Sequence, residues 1–588
     1  MIKFLKVIKK IYYILLYKKY KFKKKIRLKI LFNNIKKYGD ITIIFSNLLK
    51  KNIINDIYKI IYKKYKNILL KIIIKNYFLN IYLNNNFYIK IINYFFKKKF
   101  NIKKLIYNKN NNKKKIIIDY SSPNSNKPLH IGHLRNILIG DTISNIYKKL
   151  GYNIIKSQII NDRGIHICKT IISWKLFFKK KKINKYIKSD HYVGKLYFKF
   201  EKEFKKEIKY ISNKYNIDKK NALNKSNLFK KINKELIRWE NNNKRSIKLW
   251  KKINNLVYKG FNKTYKILNI KFNETLYESN TYIIGKKNII KNIKKNIFIL
   301  DKDKSIYYIY KNKKIILLRK NGTSLYITQE IGTLLYRIKK YKKFYLLIYV
   351  VGNEQKNYFN LFFNIIEKIN INININKLYH LSYNTVNYLG KKIKSRNYKN
   401  IIFIDCIIKK MYNYVKKNII FNINIKNKKK IYKNITIGTI KYQFLKINPN
   451  KIINFNFKNT LNLKGNTCIY IQYTYIRIYS ILKKNINNKY YFIKKKNKYN
   501  LKNIEKDIII YIIKYYKILK DTIKYYDPSI LINYIYLLSK KINNFYQNNR
   551  IYVKNKYEKN IRLNICLIIS KILYNIMKIL NIPIIKKI

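Results

Sequence analysis

Two histidines three residues apart, His130 and His133, bracket Ile131 and Gly132. The tetrad ends a loop that reads SSPNSNKPL over residues 121–129, and an apolar-periodic run follows it. The first turn of a helix carries backbone N–H groups without intrahelical partners and a partial positive charge, which suits a phosphate. Two imidazoles at this spacing can both face a bound triphosphate. The glycine between them leaves room for a purine against the backbone. The same four residues also describe a metal-binding pair or an ordinary polar helix start.

The flanking pattern supplies the elements that must hold such a loop. Residues 115–120, KIIIDY, form a short β-rich apolar run. Over residues 131–150, Ile131, Leu134, Leu138, Ile146 and Leu150 fall broadly on one helical face. Gly151 permits a turn, and NIIKSQII at 153–160 reads as a second buried strand. This is a βαβ unit of the kind that builds a parallel nucleotide-binding sheet.

Around this unit the chain divides coarsely. Residues 1–108 read as a small mixed helix–strand domain, and the tract NKNNNKKK at 108–115 as a linker. Residues 109–405 form the α/β domain, with a helix-rich insertion at about 190–285 that carries Trp239 and Trp250. Residues 300–405 return to short strands between helices, and 406–588 read as wholly helical. No repeat of 20–50 residues is visible.

Composition explains less than its extremes suggest. The 588 residues hold 133 Lys+Arg against 25 Asp+Glu, a formal charge of +108. Such a field attracts RNA. Yet Lys, Asn, Ile, Tyr and Phe dominate everywhere, and these are the residues of A/T-rich codons. Coding bias therefore accounts for most of the charge. The bias gives weight to scarce residues where they gather. Pro123, Pro128, His130, Gly132, His133, Gly140, Gly151, Gly164 and His166 all fall between 119 and 166. With an apolar fraction of 47%, global disorder is excluded. The four cysteines, Cys168, Cys406, Cys468 and Cys566, have no CxxC spacing. That argues against a zinc site or disulfide scaffold and fits a reducing cytoplasm. No signal peptide is expected, and lysines interrupt every apolar run short of a membrane span.

The stretch DYSSPNSNKPLHIGHLR at 119–135 resembles the HIGH region of class I arginyl-tRNA synthetases, and the similarity continues through QIINDRGIH at 158–166. Further blocks follow in order: DHYVGK at 190–195, WKKINNLVYKGFNKT at 250–264, LLRKNGTSLYITQEIG at 317–332, VVGNEQ at 350–355, IYIQYTYIRIYS at 469–480 and NNFYQ at 543–547. Many family members carry Trp where this chain has Arg163. The resemblance implies a Rossmann-like parallel-sheet catalytic domain, a helical C-terminal anticodon-binding domain and a small α+β N-terminal domain that touches tRNA. It implies ligation of arginine to tRNA(Arg) through an arginyl-adenylate, with ATP as substrate and Mg²⁺ accompanying it.

Class I activation is an in-line attack of the amino-acid carboxylate on the ATP α-phosphate, so the protein positions reactants and neutralises charge. By this resemblance His130, His133 and Lys127 contact phosphate oxygens. Pro128, Ile131 and Gly132 border the nucleotide. Lys392, Lys394 and Ser395 stand at the position of the family's second lysine motif, KMSKS, with Ser395 where its second lysine falls; Lys127 is thought to compensate. The arginine guanidinium, planar with five donors, needs placed acids. The matching positions are Asp119, Ser121, Asn124, Tyr326, Glu330 and Gln355, with Glu330 where Asp is commoner. On pattern alone the plainer reading is favoured, with Asp119 ending a strand and Glu330 decorating a solvated helix; the resemblance reverses that preference. Gln472, Tyr473, Arg477 and Tyr546 fall in the anticodon-binding region, where alternating aromatic and basic groups at 473–479 suit stacking on unpaired bases. An aromatic core stripe would produce some of the same tyrosines. No protein metal site is expected, His191, His380 and Trp174 read as packing residues, and the chain is expected to be a cytoplasmic monomer.

Overall fold

The computed structural model describes residues 29–585, apart from 34–35, 47–48, 50, 98–105, 179–185, 371–372, 389, 393–400, 420–427, 458–459, 463–464, 485–492 and 494–498. The N-terminal unit is a four-stranded antiparallel sheet of β1 (Lys29–Phe32), β2 (Ile41–Ile44), β3 (Leu69–Lys75) and β4 (Phe78–Leu83), in the order β1-β2-β4-β3. The helices Lys51–Tyr65 and Asn85–Lys97 bury their isoleucine faces within it.

The central sheet has five strands. They are β5 (Lys115–Asp119), β6 (Asn153–Ile160), β7 (Glu274–Tyr277), β11 (Leu346–Gly352) and β12 (Leu378–Tyr383), in the order β12-β11-β5-β6-β7. All four pairings are parallel. Because both faces are covered, the central strands β5 and β11 read as near-continuous apolar runs rather than alternating. Ile116 and Ile118 join one hydrophobic cluster, while Ile117 joins a second on the other face with Leu347, Tyr349 and Phe362. The strand order reverses at β5, and ligands of open α/β sheets bind beyond the carboxyl ends at such a reversal. Asp119 ends β5 at that point.

The βαβ unit read from the periodicity is present, with its helix at Ile131–Lys149. That helix lies close to the strand: a Cβ on Gly140 would meet the Tyr120 ring at 2.4 Å. Arg135, fully buried, donates from its two terminal nitrogens to the carbonyls of Asn384, Thr385, Asn448, Pro449 and Lys451. It thereby ties the helix to the chain beyond β12.

The insertion is four helices, Ser189–Lys214, Lys219–Lys225, Asn227–Glu240 and Lys244–Ile267. The hairpin strands β8 (Ile299–Leu300), β9 (Ile306–Tyr310) and β10 (Lys313–Leu318) follow. The C-terminal region departs from the wholly helical expectation. β15 (Ile453–Phe455) runs parallel to β13 (Val386–Tyr388), which also pairs with β14 (Lys391–Lys392). A three-residue strand with sheet partners from the preceding domain leaves no trace in local periodicity. Helices Ile404–Asn418 and Lys428–Leu445 lead into four more, Cys468–Lys483, Asn503–Lys524, Pro528–Asn548 and Lys556–Ile579, which pack together. The last is long and apolar enough to cross a membrane, but its apolar face is covered by its neighbours.

Candidate active site

The Ile131–Lys149 helix begins with a reciprocal cap. His130 is its N-cap, and its Nδ1 accepts from Gly132 N–H at 3.2 Å; His133 Nδ1 accepts from His130 N–H at 3.2 Å. The rings stack with centroids 3.8 Å apart. Burial pushes the His130 pKa down to about 3, with the Lys127 ammonium adding to the effect. Burial, then His130 and Lys127, push His133 down as well. Both imidazoles are therefore neutral at physiological pH. Since each Nδ1 accepts, each proton sits on Nε2, so the pair presents two neutral N–H donors.

The structure alters one expectation here. The helix start does not offer most of its backbone donors to a phosphate. Ile131 N–H donates to Ile402 O at 3.0 Å, and Gly132 N–H goes to His130. A second backbone bond, Ile404 N–H to Leu129 O at 3.0 Å, completes a short bridge around Phe403. Phosphate recognition at this site thus falls to side chains: the Lys127 ammonium carries the charge, and His130 and His133 add neutral N–H donors. Pro128 and Ile131 are buried beneath the loop, and Gly132 is partly open beside the His130 ring. Lys394 and Ser395 lie outside the described residues, as does the side chain of Lys392.

The preceding loop is held at several points. Ser121 takes a positive φ of 64°, stabilised by its N–H to Asn136 Oδ1 at 2.6 Å and by its hydroxyl to Tyr265 at 2.7 Å. Asn136 in turn donates to Val350 O on β11 at 2.5 Å. Asn124 is half-buried and bridges to Asn161.

A group of carboxylates lies at the sheet's carboxyl edge. Asp119 is buried and paired with Arg337 at 2.8 Å, while its Oδ1 has no hydrogen-bond partner among the described residues. Burial still raises its pKa against the opposing Arg337 charge. Tyr326 and Glu330 do share a face of the helix Tyr326–Tyr341; Tyr326 is exposed, and Glu330 reaches inward. Glu330 Oε2 is buried and has no hydrogen-bond partner among the described residues. Burial, then the Asp119 charge, raise the Glu330 pKa to about 7 against the pull of Arg337. Gln355 is exposed in the short turn Asn353–Gln355 after β11.

Glu278 completes this acidic wall and was not singled out by motif reading. It opens the helix Glu278–Ile293 and is buried. Burial, then Glu330, push its pKa well up. Its helix crosses Tyr326–Tyr341 so closely that a Cβ on Gly332 would meet Thr281 O at 2.2 Å, and one on Gly285 would meet Thr328 O at 1.9 Å. That glycine-mediated crossing places Glu278 beside Glu330. The scarcity argument that marks Asp119 and Glu330 applies equally to Glu278, and was the available signal.

At the far end of the chain, Tyr473, Arg477 and Tyr546 form a surface group. The Arg477 guanidinium lies 4.7 Å from the Tyr473 ring centre and 4.9 Å from that of Tyr546. Gln472 does not share this face: it is buried and donates to Pro583 O at 3.0 Å. Tyr475 is buried too, because residues two apart on a helix point in nearly opposite directions. His380 stacks on Phe359 at 4.5 Å, as a packing residue would. Asp190, His191 and Asp405 could together ligate a cation. The Lys188 ammonium already bonds both carboxylates, at 3.0 and 2.8 Å, and supplies the charge there.

A reversing parallel sheet, a capped His-Ile-Gly-His helix start and a trailing helical domain define a class I aminoacyl-tRNA synthetase. Residues 98–459 match the family described as tRNA synthetases class I (R), catalytic domain, and residues 471–588 match the DALR anticodon binding domain. The arginine–tRNA ligase of Flavobacterium psychrophilum is 36% identical over 80% of this chain and 78% of its own length. That of Borrelia turicatae is 36% identical over 93% and 92%. The fold is shared with Thermus thermophilus arginyl-tRNA synthetase, at a TM-score of 0.77, 17% identity and 99% coverage of both chains. The Plasmodium falciparum enzyme gives 0.73 at 24% identity, again with 99% coverage of each chain. The chain belongs to the class I arginyl-tRNA synthetase family.

Proposed function

We propose that the chain ligates arginine to tRNA(Arg) in two steps. An arginine carboxylate oxygen attacks the ATP α-phosphorus, the bond to the bridging oxygen breaks, and pyrophosphate leaves. A terminal ribose hydroxyl of the tRNA then attacks the adenylate carbonyl and AMP leaves. The observation that carries the reading is a pair of carboxylates, Glu278 and Glu330, buried at the carboxyl edge of the sheet and forming no ion pair among the described residues, on a domain whose helix start presents two neutral imidazole donors. Arg337 serves Asp119. A substrate guanidinium supplies the missing charge.

In this reading His130 and His133 donate Nε2–H bonds to phosphate oxygens, strongest as charge builds in the transition state. Lys127 adds a full charge. Glu278, Glu330 and Asp119 orient the guanidinium, with Tyr326, Asn124 and Gln355 at the rim. Ser121 acts by holding the loop, since its hydroxyl is taken by Tyr265. Mg²⁺ accompanying the ATP would neutralise part of the phosphate charge beside Lys127. Tyr473, Arg477 and Tyr546 stack on tRNA bases, and the N-terminal sheet unit contacts the same tRNA. The domain division is 1–108, 109–405 and 406–588, with the β13–β15 pairing crossing the last boundary. The test is charging of tRNA with a panel of labelled amino acids. Arginine-only charging is expected; charging with another amino acid, or none by folded protein, refutes the reading.

A further inference from the structure

A buried arginine beside a site for arginine needs a reason, because its charge repels the substrate. Arg163 lies in the loop after β6, and its neighbour Asp162 fixes the backbone there. Asp162 accepts from Ser279 N–H at 2.9 Å, Ser279 Oγ at 2.7 Å and Tyr258 Oη at 3.1 Å. The Arg163 side chain is 2% exposed. Its guanidinium sits 3.9 Å from the Tyr282 ring centre and 5.2 Å from that of Trp239. One terminal nitrogen donates to Glu240 Oε1 at 2.5 Å and the other to Ser324 Oγ at 2.5 Å. Glu240 balances the charge, and the aromatic faces separate it from solvent.

The remaining reach of Arg163 runs into the acidic wall. With its amide oriented to satisfy its neighbours, the Gln329 oxygen accepts from Arg163 Nη1 at 3.2 Å. Its nitrogen then donates to both Glu278 oxygens, at 3.0 and 3.1 Å. Without a donor holding its oxygen, the amide could turn that oxygen toward the Glu278 carboxylate, which would repel it. Chained hydrogen bonds also polarise one another. Ser324 stands two residues before the helix that carries Tyr326 and Glu330. Arg163 therefore holds both ends of one short segment, its entry at Ser324 and its amide at Gln329.

Resting on the arginine-site reading above, we propose that Arg163 is a positioning residue for the amino-acid subsite, acting through Gln329 to orient Glu278 toward the substrate guanidinium. It touches no reactant. A lysine cannot replace it, because a single ammonium cannot serve Glu240, Ser324 and Gln329 from one planar fork.

The test is steady-state tRNA charging by the full chain with Arg163→Lys, Gln329→Met and the double variant. Loss of one charge-assisted bond network corresponds to about a tenfold rise in KM for arginine. The KM for ATP should stay within about twofold, and the melting temperature of each variant is read in parallel. In the Gln329→Met background, Arg163→Lys should add less than about twofold, since the relay is already cut. An unchanged arginine KM overturns the proposal, as does an equal rise in the ATP KM or a full additive effect in the double variant. Should Arg163→Lys fail to fold, Gln329→Met alone must show the same split in KM, and an unchanged arginine KM there is equally fatal. The parent enzyme run in the same assay separates the two claims: failure of the parent to charge arginine overturns the functional reading, not the relay.

Discussion

Arginine binding should be gated by protons at Glu330 near neutral pH. Its carboxyl is raised to about 7, first by burial and second by the Asp119 charge. The sign follows directly. A raised carboxyl pKa means the neutral acid predominates on the acidic side, and a neutral acid pairs poorly with a guanidinium. Binding therefore improves as pH rises through the pKa. With that value, roughly one molecule in ten carries ionised Glu330 at about pH 6 and nine in ten at about pH 8. The apparent dissociation constant scales inversely with the competent fraction, so KM for arginine should fall about tenfold across that interval. The histidines serve as an internal control: His130, near 3, and His133, also depressed, stay neutral throughout, so the KM for ATP should remain flat. Charging with labelled arginine at saturating tRNA and ATP, repeated across this range, reads both constants. Glu330→Gln should raise the arginine KM and abolish the step in its pH dependence centred near 7, leaving only what Asp119 and Glu278 contribute. A flat arginine KM in the parent enzyme would refute the placement of Glu330 against the guanidinium.

Further outcomes follow from the same geometry. His133→Ala removes a neutral donor from the phosphate site and should lower kcat about 10²–10³-fold with little change in arginine KM; an effect confined to KM would contradict the transition-state role. Gly332→Ala drives a Cβ against Thr281 O, which should destabilise the protein by about 1–3 kcal/mol in denaturant melts and raise arginine KM by parting Glu278 from Glu330. Unaltered arginine affinity in that variant would show that the helix crossing does not shape the pocket. Arg477→Ala should raise the KM for tRNA about tenfold, in line with the loss of one stacking platform, while arginine and ATP constants hold; equal tRNA affinity in a filter-binding assay would remove Arg477 from the RNA surface.

What was legible in advance depended on whether the signal was local. The βαβ unit shows in residues 115–160 because strand, glycine turn and helix each leave a periodic trace there, and the observed bounds differ by a residue or so. β15 leaves none, since three residues acquire strand geometry only from partners some seventy residues earlier. The tyrosine–arginine alternation at 473–479 misled for the opposite reason. A period of two is visible in the letters, but the helix Cys468–Lys483 imposes 3.6 residues per turn, so Tyr473 and Arg477 share a face while Tyr475 turns inward.

The candidate site divides in the same way. The His-Ile-Gly-His loop is contiguous, and coding bias made it conspicuous by starving the rest of the chain of His, Gly and Pro. The acidic wall is assembled from Asp119, Glu278 and Glu330, which meet only because β5 ends where two glycine-matched helices cross. Here the bias works as a filter. With 25 acidic residues against 133 basic ones, a buried carboxylate without a lysine beside it is a costly arrangement that ordinary surface drift would erase. Glu505 and Glu235 illustrate the usual outcome, each buried but paired, with Arg562 and Lys175 respectively. Among the described residues Glu278 and Glu330 form no ion pair, and they lie in one place. In a chain saturated with ammonium groups, two such acids are what the proposed substrate guanidinium would pair with.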